Sequence, residues 1–230
     1  MSKFIWNVHN YSHRPPYNLT VIKKSIINDV HKNKIILDLG AGDGTLTKQL
    51  DRFTWKKIYA VKPNPIMFKQ LKKLTFQNTV IRKKGLSHAL PLLDASIDII
   101  FIGTALHWFE PASTMQEFKR VLKFGGKIIT FDNSTQSPWY SDIKKLPRHS
   151  VHIKAGINYG TRLSDLVSEY HVVTGISTYL FNQNKFLSCI SSYSWSLEAN
   201  KEEYLNIFHK YKTNNVIEVN NKTTACIAML

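Results

Sequence analysis

Gly40, Gly42 and Gly44 fall at alternate positions in LDLGAGDGTL, between an apolar run and a helix-forming segment. Glycines at such a junction let the backbone come close to a ligand, and free amides at the helix start favour polar or anionic groups. A G-x-G-x-G turn serves many nucleotide-binding folds, so its reading rests on a companion residue. That companion is an acid about 20 residues further on, ending the second strand, where it accepts hydrogen bonds from ribose hydroxyls. Lys62 holds the place here, followed by Pro63, in KKIYAVKPNPIMFKQLKK. An ammonium has no acceptor and can only donate.

The elements that must position these residues show as periodicities. NLTVIKKSIINDVHK offers Asn18 as an N-cap and places Ile22, Ile26 and Val30 on one helical face. KIILDLG is a continuous apolar run ended by glycine, which suits a buried parallel strand. GTLTKQLDRF follows as a helix and KIYAV as a second strand, while Asn64 and Pro65 cap and open the next helix. TVIRK, SIDIIFI and GGKIITFD read as the third, fourth and fifth strands, with a helix, PASTMQEFKRVLK, ahead of the last. This alternation through residue 132 predicts a parallel sheet with helices on both faces. Beyond it, YHVVTGISTYLF and NVIEVNNKTTACIAML read as late strands, with the helix NKEEYLNIFHKY between them.

A chain of 230 residues has room for one well-packed domain and a small cap. Its composition, 43% hydrophobic and 20% charged, is that of a globular protein and not a disordered one. No apolar run approaches a membrane-spanning length, and the opening MSKFIWNVHNYSHRPPY lacks a signal-peptide apolar core, so no membrane association is expected. Cys189 and Cys226 alone argue against a disulfide framework and for a reducing compartment, with the cytoplasm the expectation. The formal net charge of +15 raises nucleic acid as a partner. The lysines are scattered in pairs such as Lys23-Lys24 and Lys144-Lys145, without a basic stripe or a recognised binding motif, which disfavours it. His149, His152 and His171 show no metal-ligand spacing, so no metal site is expected.

Taken together, several motifs resemble the class I S-adenosylmethionine-dependent methyltransferases, in their small-molecule, type 11-like branch. ILDLGAGDGTLTKQL looks like the first motif of that family, and YAVKPNPIM like a second that usually reads V-E-P. GLSHALPLLDASIDIIFIGTALHWFEP resembles the region written G-x-A-E-x-L-P, then S-F-D and H-W-F; EFKRVLKFGGKIITF is similar to R-V-L-K-P-G-G. The opening YSHRPPYN resembles Y-x-x-x-R-P-x-Y-P, and FLSCISSYSW a late S-x-S-Y segment. The resemblance implies a Rossmann-like, seven-stranded, mostly parallel α/β sheet with helices on both faces. It implies one domain over 1–230, and the irregular stretch 134–179 would form a cap whose Trp139, Tyr140, Tyr159 and Tyr170 suggest an aromatic-lined space.

The same resemblance assigns roles. Gly40, Gly42 and Gly44 would hold the methionine part of S-adenosylmethionine, with Asp38 shaping the turn. Lys62, with Pro63, would face the ribose, and Leu86 with the backbone near Ser87 the adenine. Tyr11 and Arg14 would close over the methionine end. His107 and Trp108 would line the junction of cofactor and small-molecule acceptor, with His107 the candidate base. Plainer readings stay open beside these: a packed N-terminal arm for Tyr11 and Arg14, a buried histidine for His107, core packing for Trp108.

Three positions depart from the family pattern together. Lys62 replaces the ribose-binding acid, Leu86 stands where an adenine-contacting Asp is common, and His88 stands where Glu is common. Three functions are therefore weighed. The first is methyl transfer to a small molecule by in-line displacement, in which a protein chiefly aligns, dehydrates and sometimes supplies a base. The second is a methyltransferase-like protein with lost or altered cofactor binding, acting as a binding or regulatory partner. The third is nucleic-acid methylation, which GTALHWF disfavours because it lacks the D/N-P-P-Y/F pattern of enzymes that methylate exocyclic base nitrogens.

Overall fold

The computed structural model describes residues 8–147, 163, 164, 166–193 and 195–230. Tyr159, His149 and His152 lie outside the described residues. Seven strands form one sheet in the order β3-β2-β1-β4-β5-β7-β6. They are β1 (Ile35–Leu39), β2 (Lys57–Val61), β3 (Val80–Lys83), β4 (Ile97–Gly103), β5 (Leu122–Thr135), β6 (His171–Asn182) and β7 (Val216–Met229). The strand pairs β1–β2, β2–β3, β1–β4 and β4–β5 are parallel. Since β1 leads to β2 on one side and is flanked by β4 on the other, the chain reverses its winding direction beside β1. Open α/β sheets bind ligands outside the carboxyl ends of the strands at such a point.

The chain divides into two compact units. One holds Pro16–Asn133, Ile157–Gly175 and Thr223–Leu230. In it, side chains alternate between two cores, as strands covered by helices on both faces require. Leu37, Leu39, Ile100, Ile102, Phe118 and Ile128 belong to one core, and Ile36, Ile58, Ile99, Phe101, Ile129 and Phe131 to the other. The second core also takes Val21, Ile22 and Ile26 from the helix α1 (Leu19–Ser25). That helix is shorter than the apolar spacing predicts. It stops at Ser25, Ile26 is its C-cap, and Val30 is exposed. Asp29, the residue before Val30 in the intervening turn, is instead buried between Lys34 and Lys127, at 2.8 Å from each ammonium.

The other unit draws its described residues from Met1–Pro15, Ser134–Gly156 and Ile176–Lys222. Its core joins Trp139, Ile143, Phe181, Phe186, Tyr204, Phe208 and Ile217. Trp139 and Tyr140 pack within this core, and the Trp139 indole N–H donates to the carbonyl of Glu218 at 2.7 Å. Tyr170 packs in the other unit, against the core of Leu37 and Phe118. A helix over Gln183–Ser191 arises where the sequence reading marked only a motif, capped by the Asn182 side chain. Among the described residues no helix is long and apolar enough to cross a membrane.

Candidate functional site

Three further helices flank the site: α2 (Thr45–Leu50), α3 (Pro65–Lys72) and α4 (Pro111–Val121). All three glycines of the loop between β1 and α2 have left-handed φ: +80° at Gly40, +59° at Gly42 and +94° at Gly44. The amides of Gly40 and Ala41 both donate to the carbonyl of Val61, at 2.9 and 3.1 Å, which ties the loop to the end of β2. Gly40 also passes so close to the chain after β4 that a Cβ added to it would lie 2.6 Å from that of Ala105. The loop therefore needs glycine at Gly40 for conformation and for space.

Asp38 is buried one residue before the end of β1 and accepts a hydrogen bond from the Thr47 hydroxyl at 2.5 Å. Burial pushes its carboxyl up to about 7, against the opposing pull of Thr47 and of the Lys62 ammonium. Asp43 bonds the amide and hydroxyl of Thr45 at 3.1 and 2.8 Å, which fastens the turn into α2. Lys62 follows β2, with its amide donating to the carbonyl of Lys83 at 3.1 Å. Its amine is pushed below the ordinary lysine value by burial, with Asp38 and Asp43 opposing the fall. The lysine thus acts electrostatically on the glycine loop and is not simply turned out to solvent. Pro63 is exposed, and the Asn64 side chain caps α3 through the amides of Ile66 and Met67.

The stretch from Leu86 to Asp94 is pinned to α4. Arg120 donates to the carbonyls of Leu90 and Leu92 and pairs with Asp94 and Glu117. Ser87 is buried, and its hydroxyl oxygen accepts from Thr114 at 2.9 Å, which commits that side chain to α4. Leu86 and His88 are exposed, while hydrogen bonds from Ser113 and from Arg120 hold Glu110 and Glu117, respectively, below the usual carboxylate range. A short 3-10 turn, Leu106–Trp108, presents His107 half-buried and Trp108 exposed, with ring centroids 4.8 Å apart. Ala105, which Gly40 approaches, immediately precedes this turn, so the loop and the turn are brought together.

Tyr11 and Arg14 belong to the other unit. There the Arg14 guanidinium lies over the rings of Tyr11 and Tyr193, at 4.1 and 4.3 Å from their centroids. Its Nε donates to the Ser192 hydroxyl at 2.9 Å, and its Nη2 to the Ser192 carbonyl. Two motifs read separately in the sequence, YSHRPPYN and FLSCISSYSW, thus meet. Asp132, Thr104 and Tyr17 were not singled out by the sequence. Tyr17 Oη and Thr104 Oγ1 are 2.9 Å apart, Thr104 has φ +45°, and the Thr104 amide donates to the carbonyl of Phe131, the residue before Asp132, at 2.8 Å. The available signal was position: an acid at the carboxyl end of a central parallel strand. Among the described residues no group of three or more His, Cys, Asp or Glu could hold a metal ion.

The buried carboxyls give a pH prediction. Asp38 and Asp132 are each pushed up to about 7, well above the unfolded carboxylate value. A carboxyl raised in the fold stabilises it at low pH, and that contribution fades as pH rises through the folded value. Thermal stability should fall between pH 5 and pH 8 by at least about 5 °C, since 1 kcal/mol moves Tm by about 2–4 °C at this size. Differential scanning calorimetry across that range checks it, and Asp38→Asn should flatten the profile.

A doubly wound sheet with a left-handed glycine turn at the end of β1 defines a Rossmann-like α/β fold. Residues 37–130 match the family described as a methyltransferase domain. An uncharacterised methyltransferase-like protein of Schizosaccharomyces pombe is 35% identical over 119 residues, covering 51% of this chain and 46% of its own. An uncharacterised methyltransferase of Mycobacterium tuberculosis is 37% identical over 93 residues, covering 40% of this chain and 37% of its own. The chain spans about half the length of the curated relatives it matches first. A solved structure from Anaeromyxobacter dehalogenans, assigned as a type II methyltransferase, superposes with a TM-score of 0.67 over 93% of this chain and 96% of its own. At 16% identity that likeness shows the fold alone.

Proposed function

We propose that this protein transfers a methyl group from S-adenosylmethionine to a small-molecule acceptor by in-line displacement. The observation that carries the reading is the glycine turn itself, left-handed at three positions, pressed on Ala105, with buried Asp38 beneath it. The residues fit the cofactor at its amino-acid end, where Asp38 and Asp43 place acidic groups beside a loop that would receive a cationic ligand. At the ribose end Lys62 offers donors alone. When bound, S-adenosylmethionine supplies an electrophilic methyl group on a sulfonium.

The chain's own part would be alignment and the exclusion of water. Gly40, Gly42 and Gly44 would receive the methionine part, with Asp38 and Thr47 holding the turn in shape. Lys62 and Pro63 would border the ribose. Leu86 and the backbone near Ser87 would border the adenine, kept in place by the Thr114 and Arg120 bonds to α4. His107 and Trp108 would line the acceptor side, His107 as the group that takes a proton from an oxygen or nitrogen nucleophile. Two free, buried cysteines suit a reducing, cytoplasmic setting.

A second reading is favoured by one observation, the Lys62 ammonium set against Asp38 and Asp43. In it the fold is kept, cofactor binding is lost or exchanged, and the protein serves as a binding or regulatory partner. Isothermal titration calorimetry with S-adenosylmethionine and S-adenosylhomocysteine separates the two. Saturable binding of both at a Kd below about 1 mM, worth roughly 4 kcal/mol, is the expected result. No heat at millimolar ligand would leave the second reading standing and remove the first.

A further inference from the structure

Asp132 lies one residue past the last pairing of β5 with β4, that of Phe131 with Gly103. Thr104 occupies the matching place after β4, and its amide donates to the carbonyl of Phe131 at 2.8 Å. The two residues therefore stand side by side at the carboxyl ends of neighbouring parallel strands, where α/β sheets bind their ligands. Both are unusual there. Thr104 holds φ +45°, a conformation that a β-branched residue adopts at a cost, and such strain gathers at functional sites. Asp132 has a buried Oδ1 with no hydrogen-bond partner among the described residues. A buried acceptor left unsatisfied is costly, so its retention calls for an explanation.

Tyr17 Oη and Thr104 Oγ1 share a hydrogen bond at 2.9 Å beside Asp132. The Asp132 Oδ1 remains a buried acceptor without a partner among the described residues. We propose that Asp132, set beside Thr104 at the strand ends, binds the hydrogen-bond donor of the methyl acceptor, an ammonium or a hydroxyl. The assignment rests on the methyltransferase reading for the word acceptor, and it sets the substrate class. Ligands that present N–H or O–H are taken, and ligands that present a carboxylate are refused because the anion meets Asp132 unpaired. Burial pushes the Asp132 carboxyl up to about 7. Its other titratable neighbours are Tyr17, through Thr104, and Cys226 on β7, whose own thiol burial pushes up.

The test uses the full chain and three probes of similar shape: phenethylamine, 2-phenylethanol and phenylacetate. Each is titrated by calorimetry at pH 8 into protein with S-adenosylhomocysteine present and into protein without it. The amine or the alcohol should bind at least tenfold more tightly than phenylacetate. Asp132→Asn should shrink that preference to less than threefold while circular dichroism stays that of the parent. Equal binding of phenylacetate, no binding of any probe, or a preference untouched by Asp132→Asn overturns the proposal. The wild-type comparison needs no variant, so it decides even where Asp132→Asn folds poorly. Heat from S-adenosylhomocysteine reports the methyltransferase reading separately, and the probe preference is read with or without it.

Discussion

Replacing Gly40 with alanine should destabilise the protein by about 3 kcal/mol and abolish cofactor binding, because two costs coincide at that residue. The first is conformational. At φ +80° a Cβ meets its own backbone, which costs an ordinary residue about 1 kcal/mol. The second is steric. The new Cβ would lie 2.6 Å from the Ala105 Cβ, a short and stiff side chain that cannot swing aside. Separating the two requires the loop to leave the turn that carries His107, which dismantles the site at its junction. Gly125 is the internal control. It also has a left-handed φ, +69°, but nothing lies within 4 Å of where its Cβ would be, so Gly125→Ala should show the conformational cost alone, about 1 kcal/mol. Gly44→Ala should fall between them, because its Cβ would meet the far ends of Leu74 and Leu71, which can shift. Urea unfolding of the three variants gives the order directly. Equal losses at Gly40 and Gly125 would show that the approach to Ala105 is not what demands glycine.

That ordering also marks how far the sequence could be read. The glycine spacing, the apolar run before it and the strand–helix alternation through Asp132 are local patterns, and β1 to β5 with their helices stand where the periodicities place them. Local patterns fail where a tertiary partner decides. The face of Ile22, Ile26 and Val30 suggested a longer helix, yet the chain turns at Ile26 and buries Asp29 between two lysines, one of them 98 residues away. The division into units is less visible still, since each gathers three stretches separated along the chain. Arg14 and Ser192 are 178 residues apart, and no periodicity joins a motif near one end to a motif near the other. Lys62 was legible as a departure from an expected acid. Its setting beside Asp38 and Asp43 was not, because that depends on the loop folding back onto Val61.

Lys62→Glu should tighten binding of S-adenosylmethionine at least tenfold, in the same variant that it makes less stable above neutral pH. Three effects compete at that position. A glutamate restores an acceptor for ribose hydroxyls, and a charge-assisted hydrogen bond is worth about 1.5–3 kcal/mol, or one to two powers of ten in affinity. It also exchanges a positive for a negative charge beside a cationic ligand, which acts in the same direction. Against both, the new carboxylate joins Asp38 and Asp43, the two groups whose charges now oppose the fall in the lysine's pKa. Without the ammonium, the Asp38 carboxyl should rise beyond its present value of about 7, so the free protein loses stability as pH passes neutrality. The ligand supplies the missing positive charge, and binding and stability are therefore linked in opposite senses. Lys62→Met separates the contributions, since it removes the ammonium without adding an acceptor. Its affinity should lie between those of the parent and Lys62→Glu. Calorimetry at pH 8 with all three proteins decides, together with Tm measured with and without ligand. Equal affinity in all three would mean that Lys62 serves the fold of the glycine loop and takes no part in meeting the ribose.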